Sequence, residues 1–258
     1  TCSVFDAYYG DFRFQPSLIQ KELVDAGRFG RKSGRGFYDY AEGAERPAAQ
    51  SLPAAARPEC VVVEGDLGPA SALIERIAAA GVQVIRRDGA GLLRVGEAVL
   101  ALSDGRMAAE RARDEGLRNL ALFDLALDYS KATRLAVAFA AGTDAAAREA
   151  VAGLLQTAGI EVTEVTDSPA LVVLRTVAML ANEAADAVLQ GVGTAADIDL
   201  AMCAGVNYPK GPLAWADAIG SSTVLSVLDN LQRSYGEDRY RPSLLLRRLH
   251  CAGERFHG

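Results

Sequence analysis

Apolar and polar residues follow two different patterns along this chain, with the change near residue 167. Before it, short apolar runs bounded by turn residues predict six strands, at 60–64, 82–87, 98–103, 120–127, 134–140 and 160–165. Helical patterns separate some of these runs, at 71–81, 107–116 and 144–159. Strands that alternate with helices are typical of a parallel, doubly wound sheet, so residues 59–166 are predicted to form an α/β domain.

Beyond residue 167 the pattern is helical. Apolar residues recur at helical spacing, at Leu174, Val177, Leu180, Ala184 and Val188. Asp167 or Ser168 is expected to cap this helix, with Pro169 in its first turn. More helices are predicted around 195–204, 212–235 and 242–252. Residues 167–258 are therefore predicted to be an all-helical domain.

The first 58 residues contain little periodicity. One amphipathic stretch, from Leu18 to Val24, follows Pro16 and Ser17, which are typical of a helix start. Residues 41–58 hold three prolines and many alanines without a period, which predicts a linker.

An internal repeat links the two ends of the chain. RFQPSLIQKELVDAG (13–27) and RYRPSLLLRRLHCAG (239–253) align without gaps and share Arg, Pro, Ser, two Leu, Ala and Gly. Such self-similarity indicates duplication. Residues 1–40 are therefore predicted to be the C-terminal end of an earlier copy of the helical domain. Because the chain also opens on Thr1 in mid-pattern, we expect a processed or truncated product.

Composition narrows the classes of function. A net charge of -6 over 258 residues argues against a nucleic-acid surface, which needs a basic face. Four scattered cysteines and two histidines, both in the last nine residues, give no zinc pattern and no disulfide framework. A reducing cytoplasm is expected. No apolar run approaches the roughly 18 residues of a membrane span, so no membrane partner is expected.

Four stretches carry a resemblance to a known family: GRKSGRGFYDY, DSPALVVLR, NEAADAVLQGVGTAADIDLAM and NYPKGPLAWADAIG. They resemble the L-3-hydroxyacyl-CoA dehydrogenase family, and in particular its long, duplicated 3-hydroxybutyryl-CoA dehydrogenase type. The resemblance implies a reduced Rossmann-like domain followed by a helical domain. It also implies oxidation of a 3-hydroxyacyl-CoA by hydride transfer to NAD, and helical domains that associate in pairs, so a homo-oligomer is expected.

The dinucleotide-binding turn of that family is incomplete in this chain. Gly65 stands at the first glycine of the G-x-G-x-x-G pattern, whereas Leu67 and Ala70 stand at the second and third. A leucine fills the space that lets a backbone approach a pyrophosphate. Asp88 lies where a ribose-binding carboxylate would be, and without the glycine loop it is interpreted as a turn residue.

The catalytic residues that the family would supply are also missing. Ala138 takes the place of the histidine base, and Leu174 takes the place of an asparagine that helps to hold the substrate. The segment that carries the family's orienting glutamate is absent, because the next helical pattern begins at once. No catalytic residue and no metal ligand are therefore predicted, and the sheet domain is interpreted as architectural.

Lys32 is the one predicted cofactor contact. It matches the family's lysine in G-[RK]-K-[ST]-G-x-G-F-Y, which reaches the NAD of the catalytic Rossmann domain. A lysine on a mobile glycine loop suits a phosphate or ribose. Alternatively, Lys32 is part of a solvated basic loop with Arg28, Arg31 and Arg35. The NAD itself, and the acyl-CoA, would be held mainly by a domain absent from this chain.

The remaining polar candidates are interpreted as structural. Asn207 and Lys210 belong to a Pro/Gly turn, and Glu183 and Asp217 are predicted to pack or cap helices. Trp215 is predicted to lie in the core or at a helix interface. His250 and His257 are expected to be exposed and incidental.

Three hypotheses remain open. The first is the C-terminal, non-catalytic portion of an NAD-dependent 3-hydroxyacyl-CoA dehydrogenase. The second is an independent binding or scaffold module with a degenerate Rossmann domain, which a ligand bound at residues 65–71 would favour. The third is a self-sufficient dehydrogenase with an altered cofactor loop.

Overall fold

The computed structural model of the chain describes residues 2–258, which divide into two compact units. The smaller unit comprises the described residues up to Gln50 together with Glu237–Arg239, and the larger comprises Ser51–Gly236 and Tyr240–Gly258. The larger unit contains the sheet and most of the helices.

The smaller unit is built from short elements. Helix α1 (Cys2–Ala7) and helix α2 (Leu18–Asp25) alternate with 3-10 turns at Phe12–Phe14 and Arg31–Ser33. Helix α2 begins directly after Ser17, which confirms the helix start that the Pro-Ser pair predicted. No residue of α1 or α2 is buried. The unit therefore presents its apolar side chains on its surface.

The larger unit is organised around one sheet of seven strands in the order β2-β1-β3-β4-β5-β6-β7. The strands are β1 (Cys60–Glu64), β2 (Gln83–Arg87), β3 (Leu92–Val95), β4 (Ala98–Leu102), β5 (Leu120–Phe123), β6 (Arg134–Phe139) and β7 (Glu161–Glu164). All six predicted strands are present, and β3 is an additional one.

The prediction of a parallel sheet is wrong, because the sheet is mixed. β1–β2, β4–β5 and β6–β7 are parallel, whereas β1–β3, β3–β4 and β5–β6 are antiparallel. Strand β3 is the physical reason for the first reversal. Its run Leu92–Val95 is short, and the two-residue turn at Gly96, with φ of 54°, folds it back onto β4 as a hairpin.

Both faces of the sheet are covered, which confirms the doubly wound class. Along β5, Leu120 and Leu122 belong to one buried cluster, and Ala121 and Phe123 belong to the other. Successive side chains of a strand point to opposite faces, so a strand buried on both sides is apolar throughout. Helices α3 (Ser71–Ala79), α4 (Ala108–Glu115) and α5 (Ala145–Thr157) provide the cover, with α3 and α5 on one face and α4 on the other.

The helical part is built around α6. It contains α6 (Val173–Leu189), α7 (Ala195–Val206), α8 (Pro212–Ile219), α9 (Ser221–Tyr235) and α10 (Leu244–Ala252). Helix α6 packs against each of the other four. The single helix predicted over 212–235 is wrong in one respect, because Gly220, with φ of 93°, separates α8 from α9.

Two aspartates cap helices that lie far away in the sequence. The carboxylate of Asp124, just after β5, accepts hydrogen bonds from the backbone N–H groups of Val172, Val173 and Leu174 at 2.7–3.0 Å. Asp167 instead accepts from the first residues of α4, at 2.6 and 2.9 Å. The predicted capping of α6 by Asp167 or Ser168 is therefore wrong. The positive φ of Ala170 and Leu171 ends the extended segment and lets α6 begin late.

The second half of the predicted linker is docked onto the sheet domain. We call residues 51–56 the strap. The N–H of Leu52 donates to the carbonyl of Val162 at 2.8 Å. The Gln156 side-chain amide accepts from the N–H of Ala55 and donates to the carbonyls of Leu52 and Pro53. A Cβ at Gly153 would lie 2.1 Å from the Ala56 carbonyl oxygen, so the strap needs a glycine on α5. Residues 41–50 carry no regular helix or strand.

Candidate functional site

The turn between β1 and α3 is the place where a Rossmann fold holds a dinucleotide. Here it keeps one glycine for packing. Gly65 has φ of 78°, and a Cβ on it would lie 2.1 Å from the Gly89 carbonyl oxygen. Its N–H donates to the Arg87 carbonyl at 2.9 Å, and the Gly91 N–H donates to Glu64 at 2.7 Å. Gly65 is therefore required by the loop that follows β2.

The space beyond Gly65 is filled by the chain itself. Leu67 is buried in the core, and a 3-10 turn over Gly68–Ala70 precedes α3. The carboxylate of Asp66 accepts from the N–H of Gly68 at 2.9 Å and from the Ser71 hydroxyl at 3.3 Å. An anion already occupies the place where helix N-terminal N–H groups would meet a phosphate.

The cavity beside this turn has the wrong charge for a dinucleotide. It measures about 320 Å³, and its lining includes Asp66, Glu75 and Arg86. Two carboxylates against one guanidinium disfavour a pyrophosphate. Asp88 lies in the bend after β2, exposed to solvent, and does not line the cavity. The residues present therefore do not fit a bound dinucleotide.

The two positions that were predicted to match the family's catalytic residues are apolar and buried. Ala138 lies in β6, paired with Leu122 and fully enclosed. Leu174 lies in the first turn of α6 and contributes only its N–H, to Asp124. Among residues 2–258, no three His, Cys, Asp or Glu side chains come together in a way that could hold a metal ion.

Asp124 is the most buried carboxyl group near these positions. It is 1% exposed, and besides the α6 N–H groups it accepts from the N–H of Leu125 at 2.8 Å. Burial raises the pKa of Asp124 above its ordinary value, and the four backbone hydrogen bonds oppose this rise. Tyr129 donates its hydroxyl to the Asp124 carbonyl at 2.9 Å, and burial also raises the pKa of that phenol. Each of these contacts holds structure, so Asp124 is a cap rather than a base.

Lys32 lies in the smaller unit, on a loop that is held in shape. The Ser33 hydroxyl accepts from the N–H of Phe29 at 2.8 Å and donates to the carbonyl of Arg35 at 2.9 Å. A Cβ at Gly36 would lie 2.8 Å from Gly30 Cα, so two glycines must meet there. These hydrogen bonds close the loop on itself. Lys32 itself is exposed.

A basic, aromatic cavity lies next to that loop within the smaller unit. It has a volume of about 570 Å³, and Arg31, Arg46, Tyr38 and Tyr40 are in its lining. The Arg31 guanidinium lies 5.3 Å from the Tyr40 ring centroid. Asp39 also lines it, so the charge of the cavity is only partly positive.

His257 has a role that sequence reasoning missed. Its ring is partly exposed, as expected, but it is not incidental: Nδ1 lies 3.0 Å from Asp217 and Nε2 lies 3.3 Å from Asp199. Asp217 also accepts from the N–H groups of Phe256 and His257, both at 2.9 Å. Asp199 caps α8 through the N–H groups of Leu213 and Ala214. No local signal could show this, because the ring and the carboxylates lie 40 and 58 residues apart in the sequence.

Replacing His257 with alanine is expected to loosen residues 254–258 without unfolding the larger unit. The ring is more than a third exposed, so its two contacts with carboxylates are screened by water, and the loss is expected to be no more than about 1 kcal/mol. Hydrogen exchange of the Phe256 amide should rise, while that of α8 stays protected. His250→Ala, on the exposed face of α10, is the matched control. Unchanged exchange at Phe256 would contradict the anchoring role.

The other candidates occupy structural positions. Asn207 ends α7 in the left-handed conformation, with φ of 58°, which agrees with the predicted turn. Lys210 lies half-buried in that turn. Trp215 is half-buried against the main core. Glu183 lies on α6 and is partly exposed.

The chain matches two families along its length. Residues 100–169 match the 3-hydroxybutyryl-CoA dehydrogenase reduced Rossmann-fold domain. Residues 1–40 and 171–255 both match the 3-hydroxyacyl-CoA dehydrogenase C-terminal domain.

Curated relatives extend this similarity. The chain is 39% identical over 248 residues to the 3-hydroxyadipyl-CoA dehydrogenase of Escherichia coli (strain K12), a match that covers 96% of this chain and 46% of the relative. It is 41% identical over 103 residues to the probable 3-hydroxybutyryl-CoA dehydrogenase of Bacillus subtilis (strain 168), covering 40% and 36%. The chain therefore spans less than half the length of these relatives.

Solved structures agree with the fold. The crystal structure of 3-hydroxybutyryl-CoA dehydrogenase from Escherichia coli K12 superposes with a TM-score of 0.81 and 35% identity, over 97% of this chain and 47% of that one. The (S)-3-hydroxybutyryl-CoA dehydrogenase from Ralstonia eutropha gives a TM-score of 0.54 at 23% identity, over 76% and 66%, and shows the fold alone. Among the described residues no helix is long and apolar enough to cross a membrane.

Proposed function

Because this chain is built from domains of the 3-hydroxyacyl-CoA dehydrogenase family, we propose that it is the C-terminal, non-catalytic portion of an NAD-dependent enzyme of that family. The substrate would be a short 3-hydroxyacyl-CoA of the 3-hydroxybutyryl-CoA class. In this proposal residues 1–40 end a first helical domain, 41–58 join the copies, 59–166 form the reduced Rossmann-like domain and 167–258 form the second helical domain.

The β1–α3 turn carries the proposal. Leu67 is buried where a second glycine would admit a pyrophosphate, and the Asp66 carboxylate occupies the turn's donors. A chain that cannot seat the cofactor in its own Rossmann turn needs another domain to do so. The coverage of 46% of the Escherichia coli relative is compatible with such a domain.

The reaction chemistry supports the same assignment. Oxidation at C3 of the substrate requires hydride transfer to the nicotinamide and removal of the hydroxyl proton by a base. Ala138 and Leu174 cannot accept a proton. The two histidines stand at positions 250 and 257, and the second is engaged with Asp199 and Asp217. In the proposed enzyme this chain therefore contributes packing and positioning.

Lys32 is the group proposed to act toward the cofactor. Its ammonium is exposed on a loop that Ser33 holds in shape, and a point charge on a fixed loop suits a phosphate or ribose of NAD held by the catalytic domain. The loop would lose less freedom on binding than an open loop, because the Ser33 hydrogen bonds already constrain its backbone.

Helix α7 is the proposed association surface. The helix is apolar on most sides, yet Leu200 and Val206 are 66% and 56% exposed, and Val192 just before it is 71% exposed. An apolar helix that leaves such side chains in water is typical of one that packs against a partner. The proposed partner is a second helical domain of the same type, as in a homo-oligomer.

The first test is cofactor binding and turnover by the purified chain. We expect no NADH binding by fluorescence titration and no NAD-dependent oxidation of 3-hydroxybutyryl-CoA. A covalently joined catalytic portion of a relative should restore activity. Turnover by the chain alone would instead favour a self-sufficient dehydrogenase. A specific ligand bound at residues 65–71 would favour an independent binding module.

The second test addresses Lys32 in the enzyme with its catalytic portion. Lys32→Ala is expected to raise the KM for NAD by about tenfold and leave kcat nearly unchanged, because a charge-assisted contact present in both ground and transition states is lost. Arg28→Ala, a charge change of the same size on the same loop, is the control. Equal effects of both variants would assign the loss to the general charge of the loop.

A further inference from the structure

The internal repeat is also a repeat of local structure, and it is longer than fifteen residues. Tyr9 and Gly10 correspond to Tyr235 and Gly236, and both glycines have positive φ, of 78° and 64°. In each copy a 3-10 turn, a Pro-Ser pair and a helix follow, at α2 and at α10. A glycine with φ near 70° follows each helix within two residues, with φ of 67° at Gly27 and 68° at Gly253. The two segments are the same structural motif.

The two copies differ in what covers them. In the second copy Pro242, Ser243 and Leu246 are buried, and Ser243 is fully enclosed. At the matching positions of the first copy, Pro16 is half-buried, and Ser17 and Gln20 are exposed. The surface that is covered in one copy is open in the other.

In the second copy this surface packs against helix α6, and one asparagine of α6 sets the position of the motif. The Asn182 side-chain amide donates to the carbonyl of Arg241 at 2.9 Å, and its oxygen accepts from the N–H of Ser243 at 2.7 Å. Asn182 is completely buried. A buried amide that satisfies one backbone acceptor and one donor specifies both the position and the register of the motif.

A second contact lies two helical turns away on the same face of α6. The Arg175 guanidinium lies 4.6 Å from the Tyr235 ring centroid and 5.2 Å from the Tyr240 centroid, and it donates to both phenol oxygens. In the first copy the corresponding residues are Tyr9, which is 99% exposed, and Phe14. Within the smaller unit Phe14 stacks on Tyr8 instead, with ring centroids 4.0 Å apart, and the Arg13 guanidinium lies 5.6 Å from the Phe14 centroid, so Tyr9 is the aromatic position left uncovered.

We infer that the motif of the smaller unit docks on another helix of the α6 type, whose asparagine bridges the carbonyl of Gln15 and the N–H of Ser17. The helix of this chain already holds α10, so the occupant belongs to the catalytic copy of the domain. In that respect the inference rests on the proposed function. The partner helix carries arginine and asparagine seven residues apart, with small apolar residues such as Ala178 and Ala181 between them.

The test uses the whole chain and a peptide with the α6 sequence, residues 171–190, held helical by a staple between the exposed positions 172 and 176. Fluorescence anisotropy should show saturable binding of the labelled peptide. Hydrogen exchange should show new protection over residues 13–27 and none over 239–253. No binding, or protection over 239–253 only, would overturn the inference. NAD is absent from this assay, so its failure is distinct from failure of the proposed function.

Variants isolate the asparagine contact. Ser17→Pro removes the N–H, and the φ of -74° at Ser17 suits proline, so the backbone should keep its shape. We expect binding to weaken about tenfold. Ser17→Ala is the matched control and should bind normally, because the Ser17 side chain forms no cap hydrogen bond.

The peptide variant Asn182→Ala completes a double-mutant cycle. It should lose affinity to a similar extent with the unchanged chain and lose nothing further with Ser17→Pro, because both changes remove one bridge. Additive losses would show that the two groups do not meet and would overturn the inference.

Discussion

Replacing Asp124 with alanine is expected to lower the free energy of unfolding of the larger unit by about 3–4 kcal/mol. The substitution leaves the N–H groups of Val172, Val173 and Leu174 without their acceptor at the start of α6. A lost cap costs about 1 kcal/mol, and each buried donor left unsatisfied adds a comparable amount. Urea unfolding followed by far-UV circular dichroism measures the change.

Asp124→Asn separates the cap from the charge. The amide keeps one oxygen acceptor, so we expect less than half of the loss seen with alanine. Because burial raises the pKa of Asp124, the folded state binds more protons than the unfolded state between the ordinary and the raised value. The unchanged chain should therefore lose stability as the pH rises through that window. Asp124→Asn should lack this slope, and an identical slope in both proteins would contradict the assignment.

Gly65→Ala is the second substitution with a large expected effect, a loss of at least about 3 kcal/mol. The φ of 78° is unfavourable for any residue with a Cβ, and that Cβ would lie 2.1 Å from the Gly89 carbonyl oxygen. Relief of the overlap requires the loop after β2 to move, which breaks the Gly65–Arg87 and Gly91–Glu64 backbone hydrogen bonds. Thermal and urea unfolding both report the change.

Gly68→Ala, three residues along the same turn, is the control. Its φ is 55°, but no atom lies within 4 Å of the added Cβ, so only the backbone preference is lost, about 1 kcal/mol. Equal losses for the two variants would remove the contact with Gly89 from the explanation. If Gly65→Ala is much more destabilising than Gly68→Ala, the chain retains Gly65 for its packing against Gly89, although its position resembles a cofactor motif.

Strand and helix positions followed from periodicity, but pairing and capping did not. Leu92–Val95 escaped prediction because only two of its residues form an apolar run, between glycines. Once this strand exists, it pairs antiparallel to both β1 and β4, which makes this part of the sheet mixed. Asp167 was assigned to the helix that follows it in sequence, whereas its carboxylate reaches α4, 59 residues away. Caps supplied by tertiary contacts leave no local trace.

The candidate site, like the fold, was only partly predictable from the sequence. The proposal that this chain lacks the catalytic roles came from Leu67, Ala138 and Leu174, because these residue types exclude those roles. The role of Asp66 was not, since a carboxylate that closes its own turn depends on the backbone path of the 3-10 turn. His257 likewise needed the fold to bring its ring to Asp217. The contacts that Asp66 and His257 make were found only in the structure.

Residues 41–50 should tolerate changes in length during evolution better than the strap, residues 51–56, which follows them. Insertions or deletions within residues 41–50 change only a length of chain without regular structure, and loop length affects stability weakly. A single-residue deletion within 51–56 would shift Leu52 away from Val162 and the backbone away from Gln156. Length variation among descendants of this sequence should therefore accumulate before residue 51 and be excluded after it.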